Sequence, residues 1–360
     1  MRCSARARRD VEDRGRPRAA RIGAPRDCLA IASVAGRAGR GGRGRAVSGV
    51  NLAGMRTALL INPNAGSGSV EAVPDLALRL AAALGGSVEL RTSETAEQML
   101  AAADAVGREG FERVLVAGGD GSVQLCVHGL AGAQALGRVT LGIVPMGTGN
   151  DLATFLGMPT DLDAAIAALA TARATPLDLG EMNGQWFANA SCGGYFGEVS
   201  DATSSELKSV AKRLAYVLAG ASVLLQHTPR RARLVADTEF GAVEWEGELS
   251  LFAVCNGMTV GGGRPLAPEA SVSDGLLDVF FVREVSTTGL AALLLKMGRG
   301  AHLEDERVIG FRARGLSFEF AAPTLVNVDG EVMEVLRAEY RVHHRATRIL
   351  MPVGAQLVNS

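Results

Sequence analysis

From Met55 onward, short apolar runs alternate with longer stretches in which apolar residues recur every three to four positions. Strands are expected at residues 58–61, 87–91, 113–117 and 141–145. Helices are expected over 71–84, where Leu76, Leu80 and Leu84 stand four apart, and over 96–106, 122–130, 151–156 and 163–172. This alternation predicts a doubly wound parallel sheet with helices on both faces, an α/β domain covering 55–178. After Asp178 glycine becomes frequent and helical periodicity scarce. Short strands are expected at 186–190, 233–236, 249–255, 277–282, 307–311 and 316–321, a mostly β second domain over 179–339. One helix interrupts it at 205–225, with Leu207, Val210, Leu214, Val217, Ala221 and Leu224 on one face. That stripe reads as core packing in preference to a membrane-docking surface.

Charge separates the first 54 residues from the rest. They carry 13 Arg against 4 acidic residues, whereas the remainder has 24 basic and 34 acidic residues. The arm is rich in Arg, Ala and Gly and has no strand or helix period, so it is expected to be disordered or to precede the true start. Met55, directly before a strong strand, is the expected first residue. A nucleic-acid partner is not expected. Five scattered Cys, without a CxxC pair, argue against a disulfide framework and against zinc. No apolar run approaches the ~20 residues of a membrane span. The expected location is the cytoplasm, with peripheral contact at most on the inner face of a membrane.

Three glycine-rich loops fall at the carboxyl ends of expected strands, where ligands bind in open α/β sheets. They are Asn62-Pro63-Asn64-Ala65-Gly66-Ser67-Gly68-Ser69, Gly118-Gly119-Asp120-Gly121-Ser122 and Gly147-Thr148-Gly149-Asn150-Asp151. Glycines allow close backbone approach, and the N–H groups of a helix start favour phosphate. Ser122 and Asn150-Asp151 could equally serve as helix caps. None of the loops is a Walker A motif, which needs a Lys, and the chain has only Lys208, Lys212 and Lys296. Phosphates would be held by backbone N–H groups, hydroxyls and a metal ion.

These loops, followed by Asn189 with Gly193-Gly194, Cys255-Asn256-Gly257, Gly261-Gly262-Gly263, Ala267-Pro268, Asp274-Gly275-Leu276-Leu277-Asp278 and Val328-Asp329-Gly330-Glu331, resemble the diacylglycerol kinase catalytic-domain family. The likeness is to its bacterial soluble lipid kinase branch, related to sphingosine and ceramide kinases. It runs from Met55 to the C-terminus. It implies an N-terminal doubly wound domain of the NAD kinase/diacylglycerol kinase type and a C-terminal β-sandwich domain, with a return strand within about 340–360, around 348–352. It implies an ATP-dependent lipid kinase with Mg²⁺, phosphorylating diacylglycerol or a similar lipid alcohol at a membrane surface. A homodimer is compatible with it. The ATP contacts fall on Asn62, Pro63, Asn64, Ala65, Gly66, Thr92, Gly119, Asp120, Gly121, Ser122 and Thr148. Asp329 and Glu331 fall at the reaction centre, Asp329 as the base. Ser271, Asp274 and Leu276 fall on a structural Mg²⁺ site made of one carboxylate and backbone carbonyls.

Two departures stand out. Ser122 replaces the usual Thr and keeps a hydroxyl. Gln124-Leu125 replace the usual Asn-Glu, and Leu125 supplies no carboxylate. An NAD kinase-like enzyme and a non-catalytic lipid- or nucleotide-binding regulator are the alternative readings. The third loop and the late Asp-Gly-Glu oppose the first, and the retained Asp120, Asp329 and Glu331 oppose the second.

Overall fold

In the computed structural model, residues 20–21, 54–63, 73–204, 220–260 and 263–355 are described. The N-terminal arm is represented by Gly54 and by β1 (Ala20–Arg21), which runs parallel to Val243 and Glu244. The expectation for residues 1–54 otherwise lies outside the described residues, as do Asn64, Ala65, Gly66 and most of the 205–225 helix.

The first domain follows the apolar pattern closely. Strand β2 (Thr57–Ile61) lies between β3 (Val88–Thr92) and β4 (Arg113–Gly118), and β5 (Thr140–Pro145) lies beyond β4, all parallel. Strands β2, β4 and β5 are buried along their whole length, as strands covered on both faces must be. Their covers are α1 (Val73–Leu84), α2 (Ala96–Arg108), α3 (Asp120–Gly132), α4 (Asp151–Phe155) and α5 (Leu162–Thr171). Thr95 caps α2 through the Gln98 N–H, and Asp161 caps α5 through the Ala164 N–H. Leu59, Leu80, Val106, Leu115, Val127, Leu141 and Leu169 share one apolar core.

The chain then leaves along β6 (Arg173–Met182), forms β7 (Gln185–Phe187) and β8 (Ala190–Gly194), and enters α6 (Tyr195–Ser204). Strands β9 (Arg230–Thr238), β10 (Gly241–Cys255), β11 (Thr259–Val260), β12 (Arg264–Pro265) and β13 (Leu277–Arg283) follow. Helix α7 (Thr287–Met297) precedes two 21-residue strands, β14 (Val308–Val328) and β15 (Glu331–Met351). The pattern suggested two strands within β14. The two are one strand, its pairing with β15 shifted between Glu319 and Thr324, which breaks the alternation. Helices α6 and α7 correct the expectation of a single helix in this half. Strands β10 and β14 each pair with β8, β9 and β13, which closes the second domain around Phe252, Phe281, Phe318 and Trp245. Helices α6 and α7 pack on its other apolar face with Tyr195, Leu290 and Leu293.

Strand β15 belongs to both domains. It pairs with β14 through Arg341, shifts register between His343 and Thr347, and then runs parallel to β5 at Arg348↔Thr140 and Ile349↔Leu141. Strand β6 lies antiparallel along both parts. No helix among the described residues is long and apolar enough to cross a membrane.

Candidate active site

The second and third glycine loops touch backbone to backbone. A methyl group on Gly119 would lie 3.1 Å from Gly147 Cα, and one on Gly149 would lie 3.0 Å from Asp120 Oδ2. Asn150, at φ +51°, folds back so that its Oδ1 accepts from the Gly147 N–H at 2.9 Å and its Nδ2 donates to the Gly147 carbonyl at 2.8 Å. The helix after the third loop is therefore capped by neither Asn150 nor Asp151. Asp120 caps it from the second loop: Oδ2 accepts from the Asp151 N–H at 3.1 Å and Oδ1 from the Leu152 N–H at 3.2 Å. Ser122 is not a cap either, because α3 starts at Asp120 with Gly119 before it. Asp151 reaches into the second domain, where its Oδ1 accepts from the Gly263 N–H at 2.6 Å. Asn62 and Pro63, just beyond β2, and the exposed Thr92, which ends β3, stand at the same edge. Gly121 and Thr148 are exposed there.

Asp329 and Gly330 form a two-residue hairpin between β14 and β15, flanked by the pair Val328↔Glu331. Both central residues have positive φ, +47° and +110°, which Asp-Gly tolerates and which matches the strand twist. The turn aims the Asp329 carboxylate back at the start of β8. Its Oδ2 accepts from the N–H groups of Ala188 at 2.7 Å and Asn189 at 3.2 Å, and its Oδ1 from Ala190 at 2.8 Å. Glu331, two residues on, is exposed.

Asp120, Val123, Leu152, Ala188, Asn189 and Asp329 line one small cleft of about 10 Å³. It brings a carboxylate of the first domain to face one of the second. Burial pushes the Asp329 carboxyl up to about 6, with Asp120 adding to the rise and the three N–H groups opposing it. Burial also raises Asp120, and Asp151 adds to it, while the Asp151 and Leu152 N–H groups hold it down. Two carboxylates facing each other at raised pKa are the surroundings that a divalent cation relieves. Magnesium is commonly held by one or two carboxylates plus substrate phosphates, without a protein cage. The pair therefore fits a metal–nucleotide. Among the described residues no group of three or more His, Cys, Asp or Glu is arranged to hold a metal by itself.

Ser271, Asp274 and Leu276 lie on one loop, apart from this cleft. Ser271 Oγ is buried without a hydrogen-bond partner, and Asp274 Oδ1 accepts from the Leu276 N–H at 3.0 Å. Burial raises Asp274, while that N–H and Arg312, 3.6 Å from Oδ2, lower it. Asp178, fully buried, pins the loop by accepting from the N–H groups of Gly275 and Arg345, each at 2.6 Å. The oxygen donors fit a hard cation by type, and Arg312 already offers Asp274 a positive charge.

Gln124, which the sequence shows only as a departure from the usual Asn, and the backbone of residues 188–190, where Asn189 stands in a motif without an assigned role, are parts of the site. Gln124 Nε2 donates to the Val328 carbonyl at 2.8 Å. Leu125, on another side of α3, packs against the first-domain core. A carboxylate at position 125 would not face the Asp120–Asp329 cleft.

Comparison with known proteins agrees with this layout. Residues 56–182 match the family described as diacylglycerol kinase catalytic domain, and residues 192–351 match the YegS C-terminal NAD kinase beta sandwich-like domain. A diacylglycerol kinase of Bacillus subtilis is 33% identical over 253 residues, covering 70% of this chain and 81% of its own. A Pseudomonas aeruginosa protein named "Probable lipid kinase YegS-like" is 35% identical over 251 residues, covering 69% and 80%. The crystal structure of a diacylglycerol kinase from Bacillus anthracis shares the fold at a TM-score of 0.64 and 22% identity, over 84% of this chain and 98% of that one. The chain belongs to the diacylglycerol kinase catalytic-domain family, with a YegS-type β-sandwich as its second half.

Proposed function

We propose that the protein transfers the γ-phosphoryl group of ATP to the hydroxyl of a lipid alcohol of the diacylglycerol kind. The observation that carries this reading is the meeting of Asp120 and Asp329 in one cleft between the two domains. Phosphoryl transfer needs in-line positioning, neutralisation of phosphate charge and an acceptor for the hydroxyl proton. The glycine loops at the ends of β2, β4 and β5 are the nucleotide side, where bare backbone lets phosphates approach. Of the three lysines, Lys296 is occupied by Asp305 at 2.8 Å, remote from these loops in sequence. Mg²⁺, when bound with the nucleotide, would supply the charge neutralisation, and Asp120, on the nucleotide side, is the residue that would hold it, with Asp329 facing it across the cleft.

The acceptor side is the β14–β15 hairpin. An ionised carboxylate has about four acceptor positions, and Asp329 uses three on N–H groups. The remaining position, on Oδ1, takes the proton of the acceptor hydroxyl as the new P–O bond forms. Glu331, exposed beside this turn, is the residue we assign to orienting that hydroxyl. The relatives' names, diacylglycerol kinase and lipid kinase, support a lipid acceptor, which on this proposal the enzyme would meet from the cytoplasm at the inner membrane face.

The test is incubation of the purified protein with γ-labelled ATP, Mg²⁺ and a total lipid extract, with NAD in a parallel reaction. Label in the organic phase is the expected result, and mass spectrometry then names the acceptor. Label in a dinucleotide, or no transfer at all, would overturn the reading.

A further inference from the structure

Helix α3 grows out of the second glycine loop, and Asp120 is its first residue. Gln124 stands one turn on, so both side chains leave the helix on the same side. Asp120 lines the cleft, while Gln124 is only 4% exposed and bonded to the Val328 carbonyl, 204 residues away in sequence. Val328 is the last residue of β14 and directly precedes Asp329. The hairpin tip is thus held from two directions. The second domain holds the Asp329 carboxylate through the N–H groups of residues 188–190, and the first domain holds the carbonyl behind it through Gln124.

We infer that Gln124 is a positioning residue for phosphoryl transfer: it ties the helix carrying the nucleotide loop to the hairpin carrying Asp329, and so sets the distance between nucleotide and acceptor hydroxyl. The inference rests on the kinase reading above. The Asn usual at this place in the family is one methylene shorter, about 1.5 Å of reach. On this backbone an Asn would fall short of the 2.8 Å contact that Gln124 makes. The length of the side chain and the placement of the hairpin are therefore matched in this protein. The neighbouring Leu125 completes the division of labour on α3, with one residue bonded to the hairpin and the next packed on the core.

The test compares the parent with Gln124→Met, which keeps length and burial and removes the N–H donor. Three quantities are read: kcat and KM for ATP with the lipid acceptor, the melting temperature, and hydrogen exchange of the amides of residues 329–331. The expected result is a kcat about tenfold lower, equivalent to about 1.4 kcal/mol, with KM for ATP within roughly twofold of the parent. Melting changes little, and the three amides exchange faster. Gln124→Asn shows the same loss, because its donor does not reach. A kcat for Gln124→Met within about twofold of the parent, or a fall in kcat that merely follows a large loss of melting temperature, overturns the inference. If the parent phosphorylates no lipid, the kinase reading fails, and the exchange data still decide the tie: unchanged exchange at residues 329–331 refutes it, and faster exchange supports it.

Discussion

Replacing Gly147 by Ala places a methyl group where two loops already touch. The new carbon would overlap Gly119 Cα, sit 2.8 Å from Asn150 Oδ1 and lie 3.1 Å from the Gly119 nitrogen, against 3.4–4 Å for ordinary contact. Two of these neighbours are backbone and cannot rotate away. The third, Asn150 Oδ1, is committed to the Gly147 N–H. The second and third loops must therefore part by several tenths of an ångström. Overpacking of this kind costs about 1–3 kcal/mol, a fall in melting temperature of about 2–10 °C for a protein of this size. The same movement displaces Asp120 from Asp151 and Leu152, so the nucleotide side of the cleft loosens and KM for ATP rises about tenfold or more. Gly121→Ala is the matched control: a methyl there meets nothing within 4 Å. It should leave the melting temperature at the parent value, and it raises KM for ATP because the phosphates approach that bare backbone. Thermal melting and ATP titration of both variants are the assays. A Gly147→Ala protein with parental melting and parental KM would refute the claim that the two loops form one surface.

Other expectations follow from the same geometry. Because Asp329 must be ionised to take a proton and its carboxyl is raised to about 6, kcat/KM should climb about tenfold per pH unit below that value and flatten above it. A flat profile between pH values of about 5 and 7 would contradict its role as base. Asp120→Ala removes the acceptor for two N–H groups at the start of α4. It should cost about 1–2 kcal/mol in thermal unfolding and also weaken ATP binding, whereas Asp120→Asn should lose less stability. Asp305 is held well below its ordinary carboxylate range, chiefly by Arg307, with Lys296 also bonded to it. A depressed folded pKa gives stability that is present above the ordinary value of 3.8 and lost as pH falls through the folded one. Asp305→Asn should therefore flatten the acid limb of the melting-temperature profile, and an unchanged slope would refute that account.

The first domain was legible because its signals are local. Strands buried on both faces read as unbroken apolar runs, and each is followed by a loop whose glycines mark the ligand edge. The second domain was harder to read, since a long strand loses its alternation where its register slips, as β14 does against β15 between Glu319 and Thr324, where its other neighbour passes from β9 to β8. Helix α6, Tyr-Phe-Gly-Glu-Val-Ser-Asp-Ala-Thr-Ser, combines residues of middling helix propensity directly after two glycines, so nothing local announces it. At the site, Asp329-Gly330 is the common dipeptide of a two-residue hairpin, and its conformation was readable from that alone. What it faces was not. The N–H groups that receive Asp329 lie about 140 residues earlier. Asp120 caps a helix 31 residues away, and the partner of Gln124 lies 204 residues on. Pairings at that separation follow from how two domains close on each other, which no window of sequence contains. The substitution of Leu for Glu at position 125 looked like damage to the site in sequence. In the structure that position packs on the core side of α3.

The central claim is that Asp329 carries the reaction as its base. Its most direct test is the rate of phosphoryl transfer from ATP to lipid by Asp329→Asn, beside its circular dichroism and its affinity for ATP. The carboxamide keeps the shape and part of the hydrogen bonding to residues 188–190, but it cannot take a proton. The account predicts a folded protein that still binds ATP and whose kcat is lower by about 10²–10⁴. A folded Asp329→Asn protein with a kcat within about threefold of the parent would contradict it.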